Sequence, residues 1–245
     1  MSKPWNGCWR IRVKTAFLAL LLCASAGAQA ETRNEFWPEF DAYLKMSDRA
    51  RLFLLAAMSS AKDSNTAAGV TSYQDAQFGV HLDITLTPIF RPALMDADWE
   101  RDRYLWIRVG YRQSGTTRDS SDPYSERRGI FELNARTPLQ RSRWLMARFR
   151  WDARDVDGQH SNRYRIRLGA EREFTWFERV AVPYVTAETF YDTRYDQWNR
   201  QRYQVGAEIA IDDRWRIEPY LVRQNDKRSQ PAHVNAIGLA LKYYR

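Results

Sequence analysis

The sequence predicts an all-β protein: an antiparallel, up-and-down transmembrane β-barrel of about 12 strands, with 10 as the fallback, since bacterial single-chain barrels have even strand numbers. Three observations lead there. First, apolar and polar residues alternate with period two over almost the whole chain after residue 31; a strand sorts such residues onto two faces, and a helix would scatter them. Second, the alternating runs are about ten residues long. At roughly 3.3 Å per residue and a 45° tilt such a run rises about 23 Å, close to the apolar band of a membrane barrel. Third, the chain opens on an export signal. Its mean hydropathy is nevertheless −0.64, and no later segment approaches the roughly 18 apolar residues of a membrane helix. A barrel strand needs no such run, because only alternate residues meet lipid.

Residues 1–30 read as a cleaved secretory signal peptide, leaving 31–245 as one outer-membrane β-barrel domain. Lys3, Arg10, Arg12 and Lys14 precede the short apolar run AFLALLLCASA, and Ala28-Gln29-Ala30 fits a small-x-small cleavage site. A lipoprotein signal at Cys23 is rejected, because Leu22 stands where that signal needs a small residue. Cleavage removes four basic residues and no acidic one, so the net charge falls from +8 to +4 and much of the apparent basicity belongs to targeting. Both cysteines, Cys8 and Cys23, leave as well, which excludes disulfides and thiolate metal sites from the mature chain.

The strands follow in order. In 35–45, Phe36, Pro38, Phe40, Ala42 and Leu44 share one face, while Glu35, Trp37, Glu39, Asp41, Tyr43 and Lys45 share the other. MSDR (46–49) is a tight turn into 49–61. In QFGVHLDITL (77–86), Phe78, Val80, Leu82, Ile84 and Leu86 alternate with Gln77, Gly79, His81, Asp83 and Thr85. Further runs fall at 103–113, 127–137, 144–153, 162–173, 179–191, 199–211, 214–224 and 233–244. These make eleven, and the parity of bacterial barrels, with both termini in the periplasm, sets the expectation of twelve. TPLQRS (137–142), FTWFE (174–178) and DDR (212–214) are short connections; 62–74, 114–126, 154–161, 192–198 and 225–231 are longer polar loops. Short periplasmic turns and long extracellular loops are the barrel pattern. The stretch 88–101 is long where a turn is due, with room for a small helix.

One face of these strands is heavily charged. The candidate lumen residues are Arg108, Arg112, Glu132, Arg136, Arg148, Arg150, Arg163, Arg165, Arg167, Glu171, Glu188, Arg200, Arg202, Glu208, Arg216 and Glu218. The candidate lipid-facing residues are Phe78, Val80, Leu82, Ile84, Leu105, Ile107, Val109, Tyr164, Ile166, Leu168, Ile237, Leu239 and Leu241. Glycines 79, 110, 169, 206 and 238 are placed to relieve crowding or to accommodate bending. NRYRIRLGAE (162–171) and NRQRYQVGAE (199–208) agree at six of ten positions, which predicts similar stretches of wall. Two readings of the charged face stay open: Arg–Glu ladders that fill and brace a narrow barrel, or a cationic conduit favouring small anionic solutes.

Other chemistry is sparse. The tryptophans at 37, 99, 106, 144, 151, 176, 198 and 215 lie near strand ends, as in the aromatic girdles of membrane barrels, although Trp106, inside a run, points inward. No H-E-x-x-H, Walker loop or G-x-S-x-G occurs. A rim enzyme acting on lipid could draw on Ser229, His233, Asn225 and Asn235, but these are ordinary loop residues. Glu188, Asp192 and Asp196 could hold a hard cation, with unpaired surface carboxylates the blander reading. No catalytic residue, metal or cofactor is assigned. The arginines are spread over strands behind an export signal, which argues against a nucleic-acid partner. The expected partners are outer-membrane lipids and lipopolysaccharide, the barrel-assembly machinery during insertion, and small anionic solutes.

Three stretches, EFWPEFDAYLKMSDRARLFLLAA (35–57), TAETFYDTRYDQWNRQRYQVGAE (186–208) and EPYLVRQNDKRSQPAHVNAIGLALKYY (218–244), resemble the outer-membrane β-barrel family of domain of unknown function 2490 (DUF2490). The resemblance covers essentially the whole mature chain. It implies a barrel in the outer membrane of a Gram-negative bacterium, and it brings no activity and no functional residues. The chain departs from the usual aromatic last residue of such barrels, because Arg245 follows Tyr243 and Tyr244.

Overall fold

The computed structural model describes residues 32–62, 71–86, 104–117, 123–139, 142–228 and 232–245. The predicted signal peptide and the 88–101 stretch lie outside them, as does Trp99. The described chain is strand throughout: β1 (Thr32–Lys45), β2 (Ala50–Lys62), β3 (Thr71–Thr85), β4 (Leu105–Thr116), β5 (Ser125–Pro138), β6 (Arg143–Val156), β7 (Gln159–Arg172), β8 (Phe174–Trp176), β9 (Arg179–Asp192), β10 (Gln197–Ala210), β11 (Trp215–Asp226) and β12 (His233–Tyr244). The alternation locates every run but understates the length of most. Apart from the three-residue β8, strands have 12–15 residues, because pairing extends beyond the last apolar position.

All twelve strands belong to one sheet, and eleven of them form the wall. β8 keeps the register of the β7–β9 hairpin and prolongs it past the wall. Each wall strand pairs antiparallel with its neighbour in sequence, and the sheet closes where β1 meets β12. That last ladder is parallel, running from Thr32↔His233 to Tyr43↔Tyr244. The expectation of an even wall with both termini at one end is thereby corrected. Every hairpin reverses the chain, so with eleven strands the first and last run the same way. Thr32 and Tyr244 sit at opposite ends of the barrel.

Connections at the Tyr244 end are tight. In the turn 211–214, Asp212 accepts hydrogen bonds from the backbone N–H of Arg214 and Trp215, both at 2.8 Å. These donors hold its carboxyl below the usual carboxylate range. FTWFE comprises β8 and a two-residue turn in which Phe177 (φ 45°) and Glu178 (φ 62°) are left-handed. At the Thr32 end, the expected loop 154–161 is instead a two-residue hairpin with Asp157 at φ 53° and Gly158 at φ 83°. Asp-Gly is the favoured pair for a type I′ turn, and the polarity of the flanking residues obscured it. Asp155 Oδ1 accepts from Gly158 N at 2.9 Å and closes the turn.

The pleat sends charged side chains inward and apolar ones outward. Of the thirteen candidate lipid-facing residues, none lines an internal cavity. Eight of them are exposed on the outer wall, including Leu168 at 60% and Ile237 at 61%. Near the Thr32 end the outer face carries an aromatic row in register across five strands, Phe131↔Trp151↔Tyr164↔Tyr191↔Trp198. At the other end Trp215 packs against Tyr243 (4.8 Å between ring centroids) and Phe40 (6.4 Å). Trp198 on β10 and Ile211, the residue that follows β10 and is level with Trp215, are thirteen positions apart with one taken up by a bulge. That separation is roughly 28 Å at a 45° tilt. Trp37 is not part of either row, because it lines the interior together with Glu35 and Glu39.

Two glycines make the inner face possible. Gly110 lies opposite His81 in the β3–β4 register, and a Cβ there would fall 2.3 Å from His81 Nδ1. Gly238 lies opposite Tyr220, and a Cβ would fall 2.0 Å from the ring carbon Cζ. In each pair the glycine vacates the slot that its neighbour's ring fills.

Candidate functional site

Among the described residues the interior holds two cavities, of about 660 Å³ toward the Thr32 end and about 700 Å³ toward the Tyr244 end. They meet at mid-height, where Tyr43, Arg108, Glu132, Arg148, Arg167, Gln204, Glu218 and Lys242 line both. Fifteen of the sixteen charged residues singled out from the sequence line these cavities. The remaining one, Glu188, is buried behind the arginines at 4% exposure.

The charges are paired across strands. Arg167 faces Arg148 on one side and Glu188 on the other. Two like charges at that spacing need a shared counter-ion, and Glu188 supplies it. Arg148 Nη2 donates to Oε1 at 2.8 Å and Arg167 Nη2 to Oε2 at 2.9 Å. Arg165 adds a bidentate pair, Nε to Oε1 and Nη2 to Oε2, both 2.9 Å. The Arg165 guanidinium carbon also lies 4.5 Å from the centre of the Phe190 ring. Such forks combine two charge-assisted hydrogen bonds with fixed direction.

The same construction recurs around the wall. Asp192 binds Arg154 (2.7 Å) and Arg163 (2.8 Å). Arg150 links Asp152 (2.5 Å) to Glu132 (3.1 Å). Asp83 binds Arg51 (2.9 Å) and Arg108 (2.6 Å). Glu208 takes Arg216 and Lys242, each at 2.6 Å, and Lys242 also reaches Glu218. The internal echo has a structural meaning. Arg163 pairs with Asp192 on the next strand, and its counterpart Arg200 pairs with Asp226 at 2.6 Å. The following pair differs: Arg165 meets a carboxylate, whereas Arg202 meets the amide oxygen of Gln224 at 2.6 Å.

Sequence reasoning passed over several partners in this network. Arg51, Asp83, Arg154 and Asp226 belong to it, and parity alone would have placed them inside. Asp192, expected in the loop 192–198, is instead the last residue of β9, which runs one residue beyond the visible alternation. Neither it nor Glu188 is an unpaired surface group, and both are committed to arginines. Among the described residues no cluster of three or more His, Cys, Asp or Glu is placed to hold a metal ion. Of the rim group, His233 Nδ1 lies 2.9 Å from Asn225 Oδ1, and Asn235 accepts from Arg223 at 2.8 Å; Ser229 lies outside the described residues.

A closed wall with a charged interior and an apolar exterior places the chain in the β-barrel class. The chain belongs to the family described as "Protein of unknown function (DUF2490)", which it matches over residues 96–235. A comparison with curated proteins returns no match. Among solved structures it is similar to LpxR from Salmonella typhimurium, with TM-score 0.48 and 9% identity over 79% of this chain and 83% of that one. It is also similar to the β domain of the Bordetella autotransporter BrkA, with TM-score 0.40 and 9% identity over 80% and 82% of the two chains. An anion-selective porin from Comamonas acidovorans gives TM-score 0.34 and 13% identity over 79% of this chain and 55% of that one.

Proposed function

We propose that the protein is an outer-membrane β-barrel of a Gram-negative bacterium, exported by its N-terminal signal. In this reading its arginine–carboxylate network braces the wall and narrows the lumen to two chambers. The observation that carries it is Glu188, buried at 4% exposure and shared by guanidiniums from two strands. Charges committed in this way hold neighbouring strands at fixed spacing and occupy the centre of the lumen. The apolar belt between its aromatic rows supports a bilayer location, with lipids and lipopolysaccharide as its surroundings and the barrel-assembly machinery as the route of insertion. Unboiled protein in detergent should migrate differently from boiled protein on a gel, and carbonate should leave it in the membrane. Planar bilayers should show no large, steady conductance. Full carbonate extraction, or wide-pore currents, would overturn the reading.

A second reading, an anion-favouring channel, has one specific observation in its favour. Thirteen Lys and Arg but only seven Asp and Glu side chains line the 660 Å³ chamber. Small currents with anion preference, weakened by Arg165→Glu, would support it; a folded but silent barrel would retire it.

A further inference from the structure

We infer that a depression on the outer wall at the Thr32 end, floored by Gly129 and Ala153, binds the phosphorylated sugar headgroup of an outer-leaflet glycolipid, with Arg127 against its phosphate. The inference rests on the outer-membrane reading, with the Asp157–Gly158 hairpin outside the cell.

Gly129 lies inside β5 on the outward face, between Arg127 and Phe131. Six other glycines lie in described strands, and a Cβ on any of them would come within 3.1 Å of another residue. On Gly129 it would meet only the Ala153 methyl, at 3.9 Å, an ordinary contact. The register passes through Gly129 without a shift on either side, and its backbone is not left-handed. Neither crowding, a bulge nor a turn therefore asks for a glycine here. A glycine inside a strand costs stability, and apart from those causes it marks a place where a ligand or another backbone comes close. Gly129 and Ala153 are both exposed.

The missing side chain opens a cavity of about 380 Å³. One row of the register crosses its floor, Tyr111↔Gly129↔Ala153↔Asn162. The exposed Tyr111 closes one side and Asn162 the other. Asn162 is held in place: its Oδ1 accepts from Trp151 Nε1 at 2.9 Å, and its backbone N–H donates to Thr193 Oγ1 at 2.8 Å. That leaves its Nδ2 as an open donor. The next row toward the rim, Arg127↔Asp155↔His160, forms a lip over the floor. Arg127 is exposed and stands opposite Asp155, yet it makes no ion pair with it and binds nothing else among the described residues. Asp155 turns instead to its own hairpin. Its Oδ1 accepts from Gly158 N at 2.9 Å, and its Oδ2 lies 3.6 Å from His160 Nδ1.

The floor lies two residues beyond the aromatic row Phe131↔Trp151↔Tyr164, and the lip two residues further. At a 45° tilt each step of two residues rises about 5 Å. Aromatic rows mark the membrane interface, so floor and lip fall at headgroup depth. A headgroup there meets a guanidinium and an amide that donate, a carboxylate that accepts, and a tyrosine ring beside a flat floor. A phosphate answers Arg127 with charge-assisted hydrogen bonds. Sugar hydroxyls answer Asp155 and Asn162, and the sugar ring packs on Gly129 and Tyr111. A phosphatidylethanolamine headgroup matches the two charges but brings no ring for the floor. The cavity volume falls within the usual range for small-molecule sites.

The test uses the full chain refolded in detergent, with its gel shift on boiling as proof of folding. Lipid A carrying both phosphates is titrated in mixed micelles and bound lipid is counted by native mass spectrometry. Dephosphorylated lipid A and phosphatidylethanolamine are the comparison lipids. Phosphorylated lipid A should bind saturably and about tenfold more tightly than phosphatidylethanolamine. Gly129→Leu fills the floor on a face where nothing opposes it, so the barrel should fold and lose that preference. Arg127→Gln should weaken phosphorylated lipid A by about tenfold, the scale of one charge-assisted contact, and leave dephosphorylated lipid A unchanged. A folded Gly129→Leu barrel that keeps the preference overturns the site, as does equal binding of phosphatidylethanolamine by the parent chain. An Arg127→Gln loss that is equal for both forms of lipid A overturns the place given to the phosphate. Absence of the gel shift in the parent chain would instead overturn the barrel reading.

Discussion

Glu188 and Asp41 are both buried carboxylates on the inner wall, yet they should respond in opposite ways to loss of charge. Glu188 is the shared counter-ion of Arg148, Arg165 and Arg167. Glu188→Gln keeps the shape, leaves Arg167 without that counter-ion and leaves Arg148 and Arg165 with carboxylates only at 3.9 Å, so it should destabilise by about 3–5 kcal/mol, the scale of breaking a buried ion pair from one side. Asp41 neutralises nothing within 4 Å, and its Oδ1 lacks a partner. Asp41→Asn breaks no ion pair and should leave stability unchanged or raise it. Urea midpoints, read as loss of the fast-migrating unboiled band, measure both. Equal losses in the two variants would mean that Asp41 is also held by a cation. The contrast was only half legible in the sequence. Alternation placed Asp41 and Glu188 on the inner face, but pairing depends on which long side chains reach past a neighbour, as Lys242 reaches Glu208 and Glu218 instead of settling on Asp41.

At the scale of strands and hairpins, what the period-two pattern encodes is the face of a residue, and what it omits is where a strand stops. In QFGVHLDITL and NRYRIRLGAE every second residue is apolar, and the pleat permits no other sorting of such a run. The hairpin at Asp157–Gly158 is hidden because Asp155 and Gln159 flank it with polarity that also marks a loop, while the backbone signal is the Asp-Gly pair itself. The inward glycines were legible as relief of crowding, although their partners were not: a ring fills each slot only once register sets Tyr220 opposite Gly238. Gly238→Ala should therefore be severe. Its Cβ would lie 2.0 Å from Tyr220 Cζ, and overpacking of this kind costs about 1–3 kcal/mol or more. Tyr220→Ala in the same chain should recover most of the loss, because it empties the slot. A double variant no more stable than Gly238→Ala alone would show that the glycine serves backbone geometry and not the ring.

For the barrel as a whole, the odd number of wall strands has a consequence that an even wall would not share. With β1 and β12 parallel, Thr32 lies at the end that carries the Asp157–Gly158 hairpin, and Arg245 lies at the end that carries the turns 46–49 and 211–214. If the barrel spans the outer membrane with its short turns in the periplasm, the mature N-terminus must cross with β1 and emerge outside, while the C-terminus stays within. The two cysteines fall within the first 30 residues, so a processed chain offers a thiol-free background for single-cysteine labels. On intact cells a membrane-impermeant maleimide should label Thr32→Cys and Gln159→Cys, and should label Ser47→Cys and Arg245→Cys only after the outer membrane is permeabilised. An inserted barrel facing the other way would exchange the two pairs without mixing them. Labelling that groups Thr32 with Arg245 would mean an even wall, and the parallel β1–β12 closure would have to be abandoned.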